Sequence, residues 1–244
     1  MRNLRLDICY DGTRYKGWQR LASGDNTIQG KLELLLSRLL DEPIEISGSG
    51  RTDAGTHARG QVANFHCNST MTCEDILSGL RMYLPEDIGV YSCKDVSPRF
   101  HARLNAKEKT YCYRIWNTDT PCVFVRKYVY QDTRSFDLEA MQSAAQHYIG
   151  THDFSAFCSN KHMKKSTVRA IRSFNIEAED DELIFTVTGN GFLQHMVRIM
   201  VGTLLEVGTH DRLADSISQL YGKSRENAGP AVPACGLCLT EVIY

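Results

Sequence analysis

Twice along this chain an apolar pattern of period two gives way to one of period 3.6 and returns, and this alternation restricts the fold more than any other feature. In the first half, Leu4, Leu6, Ile8 and Tyr10 alternate with polar residues as a strand. Asn26 is placed to cap a helix, with Gln29 three residues on, Ile28, Leu32, Leu35, Leu36 and Leu39 along one stripe, and Pro43 just past the end. Ile44 and Ile46 predict a short strand, residues 61–66 a returning strand, and 88–96 a fourth. Between the last two, Thr72 can cap a helix with Ile76, Leu77, Leu80 and Tyr83 on its apolar side, stopped by Pro85. The order is β-α-β-β-α-β.

The second half repeats it. Residues 109–116 alternate aromatics and bases as a strand, and 136–149 read as a helix capped by Ser135 and stopped at Gly150. Residues 168–176 and 183–187 flank an acidic turn, 177–182, as a hairpin. Residues 192–207 give the longest helix, a shorter one carries Leu213, Ile217 and Leu220, and 239–244 close the chain as a strand. An α+β protein of two split β-α-β units in tandem, 1–105 and 106–244, follows from element order.

Composition excludes several classes. The 244 residues are 42% hydrophobic and 23% charged, which is neither disordered nor fibrous. The best candidate for a membrane span, 192–207, is broken by Gln194, His195, Arg198 and Glu206, so no membrane is expected. The chain shows no apolar export segment at its start, and its nine cysteines lack framework spacing, so reduced thiols in the cytoplasm are expected. The net charge of −1 rules out a uniformly basic coat but not a basic face. Residues 99–127 hold seven Lys or Arg against two acids, interleaved with Phe100, Tyr111, Tyr113, Trp116 and Phe124, and 161–172 hold five bases and no acid. Such runs suit RNA, whose phosphates need cations and whose bases can stack; a solvated strand surface is the plain alternative.

The stretch Gly48–Gly60 is the most unusual. Gly48, Ser49, Gly50, Ala54 and Gly55 let the backbone turn sharply, and Arg51, Thr52, Asp53, His57 and Arg59 project from it. Thr56 stands where a phosphate-binding loop needs lysine, and Asp53 where a dinucleotide fingerprint needs its third glycine. Asp53 lies between two guanidinium groups in sequence, an arrangement that keeps a carboxylate ionised as a nucleophile or electrostatic stabiliser must be. It is the only acid in the stretch, which leaves a paired-carboxylate glycosidase unsupported. Cys235 and Cys238 form a lone CxxC without a second ligand pair and read as core cysteines, and His195 as a structural histidine. Arg198 lies in an apolar run where a buried guanidinium needs a carboxylate; it either reaches solvent or pairs with Asp53.

The segment Gly50-Arg51-Thr52-Asp53-Ala54-Gly55-Thr56-His57-Ala58, followed by Gly60-Gln61-Val62 and Phe65, resembles the catalytic loop of the TruA-type tRNA pseudouridine synthases. The resemblance continues at Tyr10-Asp11-Gly12-Thr13, Gly17-Trp18-Gln19 and Ile28-Gln29, then at Phe100-His101-Ala102-Arg103 and Lys109-Thr110-Tyr111-Cys112-Tyr113. It extends through Gly150, His152-Asp153-Phe154, Phe192-Leu193, Met196-Val197-Arg198, Ala228-Gly229, Pro233-Ala234 and Gly236-Leu237. It implies two ferredoxin-like, RRM-like subdomains whose sheets meet around a basic cleft, a homodimer, and no metal or organic cofactor. It further implies conversion of uridine to pseudouridine in tRNA, at positions 38 to 40 of the anticodon stem-loop. Position by position, Asp53 corresponds to the catalytic aspartate, Tyr111 to the tyrosine that stacks on the target base and assists proton removal, Arg198 to the arginine that pairs with the aspartate, and Arg51 to the basic loop residue. Arg14, Lys16, Gln19, Arg20, Arg59, Arg103 and Lys109 are the candidate RNA contacts. Thr56 replaces the family's usual valine, Arg20 stands one position before a common glutamine, and Pro230 and Val232 alter the segment before the last strand.

The residues themselves fit such an isomerisation, which oxidises nothing and transfers no phosphate. Attack at C1′, elimination and addition to the uracil ring are all compatible with them. A base taken out of a stem needs an aromatic to receive it, and Tyr111 suits that role unless it merely packs on its sheet. Two rivals stand beside this reading. One is a non-catalytic RNA-binding protein of two RRM-like units, although no RNP1 signature is present. The other is a nucleoside hydrolase using Asp53.

Overall fold

The computed structural model describes residues 1–24, 26–160 and 162–244. Lys161, the first base of the second basic run, lies outside the described residues. The chain divides into two compact units, Met1–Lys107 with Cys238–Tyr244, and Glu108–Leu237. The closing segment, which element order assigns to the second half, therefore groups with the first.

In chain order the first unit holds β1 (Arg2–Tyr10), α1 (Ile28–Leu40), β2 (Ile46–Gly48), β3 (His57–Cys67), α2 (Cys73–Tyr83) and β4 (Ile88–Val96). The second holds β5 (Glu108–Trp116), β6 (Tyr130–Gln131), α3 (Leu138–Gln146), β7 (Gly150–Asp153), β8 (Val168–Glu179), β9 (Glu182–Gly189) and α4 (Met196–Gly208), before the closing strand β10 (Leu237–Ile243). This is a mixed α/β architecture in which the expected strands and helices recur, with β6 and β7 added. Both additions are too short to show a period in sequence.

In the first unit β1 is central, antiparallel to β3 on one side and β4 on the other, with Leu6 opposite Ala63 and Cys93. The outer edge of β3 is shared: β2 pairs antiparallel near Phe65, and β10 pairs parallel at His57 and Ala58. Leu4, Leu6 and Ile8 are fully buried with Ile28, Leu32 and Leu36 of α1 and Ile76 and Leu80 of α2. Each such side chain contributes roughly 1.5–3 kcal/mol by leaving water. Tyr83, expected on this apolar side, is 66% exposed in the last turn of α2.

The second unit orders its strands β5-β9-β8-β7, all antiparallel, with β6 parallel to β5. Its core contains Tyr113, Tyr148, Phe154, Phe157, Phe174 and Phe185. In α4 most residues are buried, from Met196 to Gly208. Gly202 is required there because a Cβ would run into the Pro230 carbonyl.

Several boundaries differ from the expected ones. Thr27, not Asn26, caps α1, its hydroxyl accepting from Gly30 N at 3.3 Å. Gln29 instead ties its amide to Glu33 and to the Ile46 carbonyl, and its Oε1 accepts from Arg20 N. Asp137, not Ser135, caps α3 by accepting from Ala140 N at 2.9 Å. That helix ends at Gln146, because the following amides bond three residues back, His147 to Ala144, Tyr148 to Ala145 and Ile149 to Gln146. The longest expected helix begins at Met196 and not at 192, since His195 adopts φ +61° and breaks the helical path. The short helix after it is a 3-10 run, Ala214–Leu220. Cys235 and Cys238 are half-buried instead of core residues; Cys235 donates to the Val129 carbonyl, and burial pushes its thiol up. Among the described residues no helix is long and apolar enough to cross a membrane.

Candidate active site

The loop between β2 and β3 is shorter than the glycine-rich stretch suggests: His57 and Arg59 already belong to β3, leaving residues 49–56 irregular. Within it every turn has a backbone or buried side-chain anchor. Ser49 N donates to the Val62 carbonyl at 2.7 Å and its hydroxyl to Gln61 Oε1 at 2.7 Å. Gln61, fully buried, donates from Nε2 to the Gly50 carbonyl at 3.0 Å. Thr52 is buried, with Oγ1 2.8 Å from the Tyr10 hydroxyl. Asp53 is half-buried, and its carbonyl accepts from Thr56 N at 3.1 Å across a turn in which Gly55 adopts φ +77°. An L-residue with a side chain would be strained at that φ.

A second segment, residues 11–18, lies strapped across this loop. Trp18 N donates to the Thr52 carbonyl at 3.1 Å, and Gly55 N donates to the Tyr15 carbonyl at 3.3 Å. Gly12 N donates to His57 Nδ1 at 3.1 Å. A Cβ on Gly12 would run into the Thr56 carbonyl, and one on Gly17, at φ +94°, would stand 2.6 Å from the Thr52 oxygen. The Trp18 indole covers Gly48, where a Cβ would be 2.6 Å from the ring. The two sequence motifs, Tyr10-Asp11-Gly12 with Gly17-Trp18 and Gly50 to Gly55, are thus two sides of one structure. Asp11 of the strap lies 3.3 Å from His57 Nδ1 and accepts from Thr13 N, while Asp53 is the one carboxylate of the glycine loop itself, on a backbone with little room to move.

The cations expected near RNA are distributed unevenly. Arg51 and Lys16 are exposed, and Gln19 is half-buried. Arg59 is exposed on β3, next to Gly60, whose missing side chain admits the Thr240 carbonyl. Arg14 pairs with Asp87 at 2.6 Å while remaining largely exposed. Arg20 is engaged with Glu33 at 3.1 Å and Glu45 at 3.5 Å. The Glu33 carboxylate is only 4% exposed and also accepts from Ile46 N, so Arg20 balances a buried charge in addition to any contact it makes outside. Arg103 is exposed, its amide donating to His101 Nδ1.

Tyr111, Lys109 and Arg198 belong to the second unit, Asp53 to the first. Tyr111 lies opposite Val187 in the β5–β9 pair and is 7% exposed, edge-on to Phe192 with ring centroids 5.1 Å apart. Lys109, half-buried, stands opposite Gly189. Arg198 is in the first turn of α4; its Nε donates to the Val232 carbonyl at 2.6 Å, and Val232 N returns a bond to the Arg198 carbonyl. That pair of bonds fixes the base of the guanidinium. Neighbouring Tyr113 donates to the Pro233 carbonyl at 2.8 Å, and burial holds its phenol protonated far above the usual range.

Sequence reasoning singled out Asp53 but not the residues beneath it, Tyr10, Thr52 and Gln61, as a connected set. The available signal was Gln61, a polar residue at an inward-facing strand position opposite Ile8.

A mixed α/β protein that presents one carboxylate on a strapped glycine loop is a narrow class, and the comparisons agree on which. Residues 8–105 and 144–244 match the sequence model of the tRNA pseudouridine synthases. The chain is 48% identical to a protein of Clostridium tetani named tRNA pseudouridine synthase A 1, over the whole of both chains. It is 46% identical to tRNA pseudouridine synthase A of Bacillus sp. strain KSM-64 and 43% identical to that of Acetivibrio thermocellus, again with complete coverage of both. The chain belongs to the tRNA pseudouridine synthase family and is an isomerase.

Proposed function

We propose that this enzyme converts uridine to pseudouridine in the tRNA anticodon stem-loop, at positions 38, 39 and/or 40, with Asp53 as nucleophile. Full-length identity of 48% to a named tRNA pseudouridine synthase A carries the choice of reaction and substrate. In the reaction the bond from uracil N1 to ribose C1′ breaks and a bond from C5 to C1′ forms. The C5 proton leaves and N1 gains one, so the product is an isomer. The role of Asp53 is supported by its being the only acid from Gly48 to Gly60, on a loop anchored at almost every residue. Arg198 is its ionic partner. Tyr111 receives the extruded base against its ring and accepts the C5 proton. Arg51 contacts the substrate, and Arg14, Lys16, Gln19, Arg20, Arg59, Arg103 and Lys109 bind the RNA backbone. The β4-β1-β3-β2 order of the first unit supports a ferredoxin-like subdomain, and we take the second half as its tandem partner. The working form is a cytoplasmic homodimer.

The test is tritium release from tRNA labelled at uridine C5. The wild-type protein releases label, and tRNA lacking uridine at 38–40 abolishes the release. Asp53→Asn retains tRNA affinity and folding but releases none. Free uracil among the products would identify a hydrolase, and tight binding without release an RNA-binding protein. Near-normal turnover by Asp53→Asn would remove the aspartate from the mechanism. Substituting Lys109 or Arg103 should lower the salt dependence of binding by about one ion per cation removed; an unchanged slope would place them away from the RNA.

A further inference from the structure

Tyr10 is 4% exposed, its hydroxyl is buried at the floor of the loop, and no step of the reaction uses it. Its hydrogen-bond polarity follows from its neighbours. Gln61 Oε1 accepts from the Ser49 hydroxyl and from Val62 N, so the Gln61 amide nitrogen faces the other way. That nitrogen donates to the Gly50 carbonyl at 3.0 Å and to the Tyr10 oxygen at 3.4 Å. Of the two groups that the Tyr10 hydroxyl meets, the Gln61 amide nitrogen can only donate, so the phenolic proton is assigned to Thr52 Oγ1, 2.8 Å away. Burial raises the phenol well above its ordinary value, so this donor persists across the working pH range.

Thr52 is therefore gripped twice, by Tyr10 at its hydroxyl and by Trp18 N at its carbonyl, and the next residue is Asp53. We propose that Tyr10 is a positioning residue for the reaction, its hydroxyl acting through Thr52 to fix the backbone from which the Asp53 carboxylate projects. The inference rests on the reading of Asp53 as the nucleophile. A carboxylate must hold its distance and angle to the reacting carbon, and displacement by about 1 Å costs up to 100-fold in rate. Tyr10 does not reach the substrate in this account; it acts on the loop from below.

Tyr10→Phe keeps the ring and its packing near Trp18 and removes the hydroxyl, both the donor to Thr52 and the long 3.4 Å acceptor for Gln61, whose amide keeps its bond to the Gly50 carbonyl. Thr52→Val removes the acceptor at nearly constant shape, whereas Thr52→Ser preserves it. Single-turnover rates, KM and tRNA affinity would be measured for each variant, with thermal unfolding to confirm the fold. Tyr10→Phe and Thr52→Val should each reduce the rate of the chemical step by about tenfold to 100-fold with KM and tRNA affinity unchanged. The double variant should lose no more than either single one, and Thr52→Ser should retain most of the rate. Additive losses, a wild-type rate in Tyr10→Phe, or losses that track KM would overturn the positioning role. An inactive Asp53→Asn beside a fully active Tyr10→Phe overturns this inference and leaves the aspartate's role intact. An active Asp53→Asn overturns the reading of Asp53, and the positioning role with it.

Discussion

The loop that carries Asp53 and the elements that carry Tyr111 and Arg198 are built on opposite principles. Asp53 belongs to no helix or strand, and its place is set by irregular bonds between residues 49–56 and 10–18, with glycines at the points of closest approach. Tyr111 and Arg198 sit on a strand and a helix, where register and helical period fix them. In the first region the backbone is the specialised component and a missing Cβ matters as much as any side chain. In the second the residues sit in regular elements, and the role proposed for each resides in the side chain itself. Substitutions should therefore act through geometry in one region and through lost functional groups in the other.

Gly17→Ala should have the largest effect. Its φ of +94° and the nearby Thr52 carbonyl leave no room for a methyl group. A fall of about 100-fold in turnover, with a stability loss of roughly 2–3 kcal/mol, is expected from rate assays and denaturant unfolding. Wild-type turnover in this variant would erase the contrast between the regions. Arg198→Lys, by comparison, preserves the charge but loses the Nε bond to Val232. Turnover should drop about tenfold while the unfolding midpoint stays close to wild type; a collapse in stability would instead make Arg198 part of the scaffold.

Arg20→Ala sharpens the comparison within the first unit. Removing the cation beside the 4%-exposed Glu33 carboxylate should lower stability by about 1–3 kcal/mol, even without RNA present. Lys16→Ala, which strands no such partner among the described residues, serves as its control, and equal stability of the two would show that Glu33 does not need Arg20. Thr56→Val should give the smallest effect, and of opposite sign. Thr56 Oγ1 is buried without a hydrogen-bond partner among the described residues. Replacing it with the near-isosteric valine should raise stability by about 1 kcal/mol and leave turnover unchanged. A loss of activity in this variant would give the hydroxyl a function.

Much of the fold was legible because its signals are periodic. The stripe Ile28, Leu32 and Leu36 and the alternation Leu4, Leu6 and Ile8 each report one buried face, and the structure buries all six. Element ends were less legible, since caps are decided by single contacts. Thr27 and Asn26 are both good capping residues, and only the bond to Gly30 chooses between them. His195 gave no warning of its positive φ, because nothing local distinguishes it from a helical residue.

The sequence by itself determined the alternation of strands and helices and isolated one acid among small residues, because hydrophobic period and absent side chains are local properties that can be read in order. Only the tertiary structure decided what holds that acid. The supporting bonds join residues as far apart as Tyr10 and Thr52, 42 positions along the chain. Main-chain amides and carbonyls, common to nearly every residue, make many of them and leave no signature in composition or spacing.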